Sequence, residues 1–212
     1  MILDNILIDG NVEAKTLLIL AHGAGAPMDS IFMNTIVKGI IERDIFVIRF
    51  EFPYMSKRRL GKKSFPDRIP FLCLFYKDIY RQIKNIFPKK DIWLGGKSMG
   101  GRVSAIISKE IDVKGVIVLG YPFHTVNNKD KLRLDCLQNE GPPILIIQGT
   151  RDKFGSINEV NNLYLNEKNS IFWIEDGDHS FSTLKKSKND SEDSIKNAYF
   201  KVSDFILEGT SN

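Results

Sequence analysis

Short apolar runs alternate along this chain with longer segments in which apolar residues return every three or four positions. Leu17-Leu18-Ile19-Leu20-Ala21 holds no polar residue, as expected of a strand covered on both faces. Strands of the same kind are predicted over Ile45 to Phe50, Asp91 to Leu94, Gly115 to Gly120, Pro143 to Gln148 and Ser170 to Ile174. Between them lie helical stripes. Phe32, Met33, Ile36, Val37, Ile40 and Ile41 form one, with Asp29 or Ser30 as its cap. Leu72, Phe75, Tyr76, Ile79, Ile83 and Ile86 form another, ended by Pro88. Val103, Ile106 and Ile107 mark a third, Ser156 to Glu159 reads as a capping box, and Ile195, Ala198, Tyr199, Val202, Phe205 and Ile206 line a closing helix.

Strands alternating with helices predict an α/β fold: a mostly parallel sheet with helices on both faces and right-handed crossovers. Ile2 to Ile8 fits an antiparallel edge strand. Three stretches break the rhythm and read as surface loops: the Lys-, Arg- and Pro-rich 53–70, a short polar insert over 121–142, and the charged 185–193. The whole chain, 1–212, reads as one domain, a size that supports a sizeable core.

The chemistry gathers where the Asp91–Leu94 strand ends. Gly95-Gly96-Lys97-Ser98-Met99-Gly100-Gly101 contains Gly-x-Ser-x-Gly between a predicted strand and a predicted helix. A chain turning that sharply is crowded, and Gly96, Gly100 and Gly101 relieve the crowding. The Ser98 hydroxyl then stands clear of the sheet, beside N–H groups of a helix N-terminus that favour negative charge. Gly96-Lys97-Ser98 also matches the end of a phosphate-binding loop, but that motif needs a glycine where Asp91 stands.

A serine hydroxyl needs a base. Of three histidines, His179 follows the last strand, and catalytic groups in open α/β sheets collect at the carboxyl ends of strands. Asp152, in the loop after Pro143 to Gln148, is the expected acid, ahead of Asp176 and Asp178, which are sequence neighbours poorly placed to reach back to the imidazole. The chain order is then Ser98, Asp152, His179. Oxyanion donors are expected from the N–H of Met99 and from the loop His22-Gly23-Ala24-Gly25-Ala26, at Ala24 with Gly25 next. His22, Tyr54, Phe123 and His124 are candidates for a substrate pocket. Against that, His22 reads as a support of the oxyanion loop, Tyr54 and Phe123 as loop anchors, and His124 as a surface histidine.

Composition narrows the setting. Hydrophobic residues make up 42% and charged residues 26%, which is ordinary for a globular protein, and a net charge of +4 is too small to argue for nucleic acid. The 2 cysteines show no metal or redox spacing, no metal or organic cofactor is implied, and a reducing compartment is expected. The N-terminal segment has neither basic start nor apolar core, and no apolar run approaches a bilayer span; the expectation is a cytoplasmic protein. The basic run 57–63 follows a strand whose carboxyl end should lie near Ser98, which points to an anionic substrate, although such runs commonly form a solvated face.

His22 to Ser30, Phe52-Pro53-Tyr54-Met55, Gly95 to Arg102, Gly149 to Asp152 and Gly177 to Phe181 together resemble the α/β-hydrolases over nearly the whole chain. Within them the chain is similar to small bacterial predicted hydrolases that share a domain with a histone-acetyltransferase-complex subunit, with dienelactone-hydrolase-like enzymes as broader relatives. The resemblance implies a three-layer α/β-hydrolase fold and the positions of the triad. The reading is a serine hydrolase of a small-molecule ester or thioester, with a shallow open cleft and an acyl-enzyme on Ser98. Its alternatives are a catalytically silent interaction module on the same fold, or a peptidase or acyltransferase using the same groups. Oligomeric state is not encoded in these features.

Overall fold

A computed structural model describes residues 5–188 and 190–210. Among these described residues, seven strands form one sheet in the order β1-β3-β2-β4-β5-β6-β7. They are β1 (Ile6–Asp9), β2 (Thr16–Ala21), β3 (Phe46–Phe50), β4 (Asp91–Lys97), β5 (Val116–Leu119), β6 (Ile144–Gly149) and β7 (Ser170–Ile174). Only β1 runs antiparallel, pairing Ile6 with Phe50 and Asp9 with Val47 on the outer edge of β3. The start of the predicted edge strand, residues 1–4, lies outside the described residues.

All six residues of β2 are buried, as are those of β3, β5 and β6, because helices cover both faces. Side chains alternate across the pleat. Leu17, Ile19 and Ala21 meet α3 (Ile69–Ile86) and α4 (Met99–Ile107), while Leu18 and Leu20 meet α1 (Ile31–Ile41) and α7 (Ser191–Thr210). Ser30 caps α1, its Oγ accepting from the Met33 N–H. The Glu159 carboxylate accepts from the Ser156 N–H at 2.9 Å, closing the predicted capping interaction of α6 (Ile157–Val160).

The three predicted loops are partly helical. Residues 53–70 open with α2 (Pro53–Arg59) and end in the first turn of α3. Proline suits the first turn of a helix, and Tyr54 and Met55 bury one side of α2, a signal too short to show as a stripe. The insert 121–142 carries α5 (Asp135–Gln138), and α7 begins at Ser191, inside the stretch expected to be loop.

Strand order positions the site. β3 lies on one side of β2 and β4 on the other, so the loops leaving β2 and β4 part company at their carboxyl ends. Such a reversal leaves a crevice where ligands bind in open α/β sheets.

Candidate active site

Strand β4 runs three residues further than its apolar segment suggested, through Gly95, Gly96 and Lys97. The next residue, Ser98, has φ 52° and ψ −112°, a conformation few non-glycine residues accept. Its N–H donates to Leu119 O at 3.0 Å and its carbonyl accepts from Arg102 N at 3.0 Å, so sheet and helix hold the turn from both sides. A Cβ on Gly96 would run into the main chain of Gly100, which explains why this turn tolerates no side chain there.

Two distant loops, after β6 and after β7, converge on the Ser98 turn. His179 Nε2 lies 2.9 Å from Ser98 Oγ, and His179 Nδ1 lies 2.6 Å from Asp152 Oδ2. Asp152 is fully buried. Its Oδ1 accepts from the Phe154 N–H at 2.8 Å and its Oδ2 also accepts from Gln148 Nε2 at 3.0 Å, which fixes the carboxylate plane. The neighbouring acids do other work. Asp178 Oδ1 accepts from the N–H groups of Ser180 and Ser182 and so ties the His179 turn, while Asp176 Oδ2 accepts from Ser187 Oγ. With Nδ1 donating to Asp152, the neutral imidazole presents Nε2 as an acceptor to the serine hydroxyl. Burial holds the His179 pKa below its ordinary value; hydrogen bonding to Asp152 opposes that shift and the nearby Lys97 charge adds to it.

The loop after β2 is oriented from behind. His22 Nε2 accepts from the Phe52 N–H at 3.0 Å, and its Nδ1 donates to Gly23 O at 2.7 Å. Burial, the largest influence on this imidazole, lowers its pKa and favours the neutral tautomer that this pattern requires. Tyr54 Oη donates to Gly23 O at 3.0 Å and lies 3.2 Å from Ala24 O, and Arg58 Nη1 also donates to Ala24 O at 3.2 Å. In a trans peptide the N–H points opposite its C=O. Holding the Gly23 and Ala24 carbonyls toward Tyr54 and Arg58 therefore turns the N–H groups of Ala24 and Gly25 the other way.

A cleft of about 290 Å³ opens beside Ser98 and His179, walled by Ala24, Gly25, Phe32, Met33, Lys97 and Phe154. None of the four sequence-based pocket candidates is among its walls. His22 and Tyr54 are buried beneath the Gly23–Gly25 loop, spent on its carbonyls. Phe123 packs edge-on against Tyr121 in the core. His124 is buried too, with Nδ1 donating to Thr125 O and Nε2 facing Glu159 at 3.6 Å. Phe32 and Phe154 form the walls instead; the Phe154 ring lies 4.5 Å from that of His179.

Lys97 is the functional-site residue that sequence reasoning passed over, having weighed it only as part of a phosphate loop. Its Nζ donates to the main-chain carbonyl of His179 at 2.6 Å and lies over the rings of Phe32 and Phe181, 5.4 and 5.9 Å from their centroids. Burial pushes its pKa down to about 8, against the pull of Asp152 and Asp178. The available signal was a lysine closing an otherwise apolar strand next to the serine. The two arginines of the basic run 57–63 are committed to the scaffold: Arg59 pairs with buried Glu51 and with Asp29, and Arg58 donates to the carbonyls of Ser64 and Ala24, while Lys57, Lys62 and Lys63 are exposed.

The chain belongs to the family described as alpha/beta hydrolase domain, which matches residues 14–207. Its fold is shared by solved structures of low identity. An alpha-beta serine hydrolase homologue from Coxiella burnetii is 18% identical with a TM-score of 0.69, over 96% of this chain and 89% of that one. Dienelactone hydrolase from Anabaena variabilis is 15% identical with a TM-score of 0.73, over 96% and 90%. A lidless serine hydrolase from Xanthomonas campestris is 16% identical with a TM-score of 0.68, over 97% and 87%. Among the described residues no helix is long and apolar enough to cross a membrane.

Proposed function

We propose that this hydrolase cleaves a carboxylic ester or thioester through an acyl-enzyme on Ser98, with Asp152 and His179 completing a catalytic triad. The carrying observation is the unbroken chain of contacts from Ser98 Oγ to His179 Nε2 at 2.9 Å and from His179 Nδ1 to Asp152 at 2.6 Å. In this reading Ser98 Oγ attacks the acyl carbonyl as His179 Nε2 takes its proton. The oxyanion is met by the N–H groups of Met99, Ala24 and Gly25. His179 then returns the proton to the leaving alkoxide or thiolate. A water attacks the acyl-enzyme by the same route, releasing the acid and restoring Ser98. Asp152 stabilises the transient imidazolium, and Lys97 fixes the backbone of the base.

The cleft is modest in volume, and the similar Xanthomonas protein is described as lacking a lid. Both favour small acyl groups or acyl groups displayed at a surface. Both cysteines are free and buried, which suits a reducing cytoplasm.

The test has two parts. A fluorophosphonate probe should label Ser98 in the native protein and leave Ser98→Ala unlabelled. Turnover of p-nitrophenyl esters of graded chain length, with acyl-CoA thioesters alongside, should then define the acyl group and leaving group. Absence of both labelling and turnover would leave a catalytically silent fold.

A further inference from the structure

Away from Ser98, a second cavity of about 300 Å³ lies between α4 and the insert that follows β5. Ile106 of α4 and the ring of Tyr121 give it an apolar side. Its polar side is cationic. Arg102, one turn beyond Ser98 along α4, and Arg133, from the insert, both line it, and both are half-buried. Neither guanidinium forms an ion pair with a carboxylate among the described residues. Arg102 makes no side-chain hydrogen bond to a described residue, and Arg133 makes one of 3.4 Å, to the carbonyl of Pro122.

The other charged groups at this cavity do not neutralise the pair. Asp135 lies on its rim, exposed and paired with neither arginine. Lys109, further along α4, donates to the carbonyls of Asn139 and Glu140. Burial lowers the pKa of Arg133, and the Arg102 charge adds to that effect. Two like charges converging on a half-apolar cavity, with their donors largely unused, repel one another until an anion enters. A guanidinium offers its donors in a planar fork that matches a carboxylate.

We propose that this cavity is a binding site for a small organic carboxylate, its head group between Arg102 and Arg133 and its hydrocarbon body against Ile106 and Tyr121. The volume sits at the small end of ligand clefts, so the ligand is compact. The site shares no wall with the Ser98 cleft, and the proposal stands whether or not Ser98 is a nucleophile.

Hexanoate is a suitable probe and hexanamide its neutral counterpart, titrated calorimetrically into the native protein. Hexanoate should bind saturably at one site, more weakly as sodium chloride is raised, while hexanamide binds poorly. Arg102→Met and Arg133→Met should each weaken binding by at least about tenfold, the size expected for losing a charge-assisted hydrogen bond. Lys97→Met, on the Ser98 cleft, should leave hexanoate affinity as it was. No saturable binding would overturn the proposal, as would equal affinity for hexanamide. Loss of binding in Lys97→Met with retention in the arginine variants would place the carboxylate in the Ser98 cleft instead. Circular dichroism of each variant checks folding, and Arg102→Met alone keeps the test decisive if Arg133→Met does not fold.

Discussion

Lys97 and His179 are joined by a 2.6 Å hydrogen bond from a buried ammonium to the histidine's own main-chain carbonyl. The bond fastens the loop that carries His179 to the strand that leads into Ser98, between residues 82 apart in sequence. Gly120, with φ +73°, makes the arrangement possible, since a side chain there would strike both the Lys97 ammonium and His179. A neutral residue of similar length at position 97 would keep the packing and lose both the clamp and the charge. Lys97→Met should therefore lower kcat about tenfold, the effect of roughly 1.4 kcal/mol at the transition state, with little change in KM. Steady-state kinetics on the most reactive ester checks this, and an unaltered kcat would remove Lys97 from the mechanism.

The same pair sets the pH profile. On the proposed mechanism His179 acts as a base only when neutral, and burial holds its pKa below the ordinary 6.5. Activity should rise as pH climbs through that lowered pKa, placing the acid limb of kcat/KM below pH 6.5. Removing the Lys97 charge removes one cause of the lowering, so the acid limb of Lys97→Met should move to higher pH. Loss of the Lys97 proton, whose pKa is pushed down to about 8, should add an alkaline limb near that pH in the native protein and none in the variant.

Lys97 also links pH to stability. Its folded pKa is about 8 and its ordinary value 10.5. Between those values the unfolded chain holds a proton that the folded chain has released, so this group's contribution to stability rises with pH across that window. Urea unfolding at stepped pH should show the rise in the native protein and lose that component in Lys97→Met.

Ser98 holds a strained positive φ of 52°, a cost that the proposed nucleophile role explains. Ser98→Ala should reduce kcat by about 10⁴-fold or more, because triad members act as a unit. Ser98→Gly should be equally inactive and yet more stable, since glycine accepts positive φ without penalty. A gain of about 1 kcal/mol would raise Tm by about 2–4 °C in a protein of this size. Scanning calorimetry on the two variants separates the chemical loss from the conformational gain.

Tyr54 supports the 22–26 loop through hydrogen bonds from its hydroxyl and through its ring, packed edge-on against His22. Tyr54→Phe keeps the buried ring and removes the hydroxyl from the Gly23 and Ala24 carbonyls, leaving them to His22 and Arg58 alone, so the opposed N–H groups are held less firmly. Preorganised donors act on the transition state more than on bound substrate. The expected result is a fall of about tenfold in kcat with KM nearly constant; a change confined to KM would argue for a pocket role.

Arg59 belongs to the scaffold more than to substrate capture. Arg59→Ala leaves the buried Glu51 carboxylate without its partner. Breaking a fully buried pair costs about 3–5 kcal/mol; the arginine is partly exposed, so about 2 kcal/mol is expected, a Tm drop of about 4–8 °C. Thermal unfolding should show this drop, and kcat/KM for an anionic ester should change less than threefold if the arginine does not attract substrate.

The six parallel strands and the major helices were legible in the amino-acid order, as was the candidate set Ser98, Asp152 and His179 that the structure brings within hydrogen-bond distance. Each leaves a local signature: an unbroken apolar run, a stripe at helical spacing, or a polar residue just past the end of a strand. Helix α2 was not legible, because about two helical turns within a basic, proline-rich stretch are too short to show a period. The walls of the cleft were not legible either. Tyr54, Phe123 and His124 follow strands as wall residues do, but which way such a side chain turns depends on partners such as the Gly23 carbonyl for Tyr54 and Glu159 for His124, both remote in sequence.

Lys97 shows the division most sharply. Its place beside the serine is written in the chain, whereas its work depends on a carbonyl 82 residues away, on two aromatic rings and on burial deep enough to shift its proton. Chain order sets periodicity and turn chemistry, because those arise between near neighbours. Contact across the sheet's carboxyl edge, and with it the protonation of Lys97 and His179, arises only when packing excludes water from groups that the sequence keeps far apart.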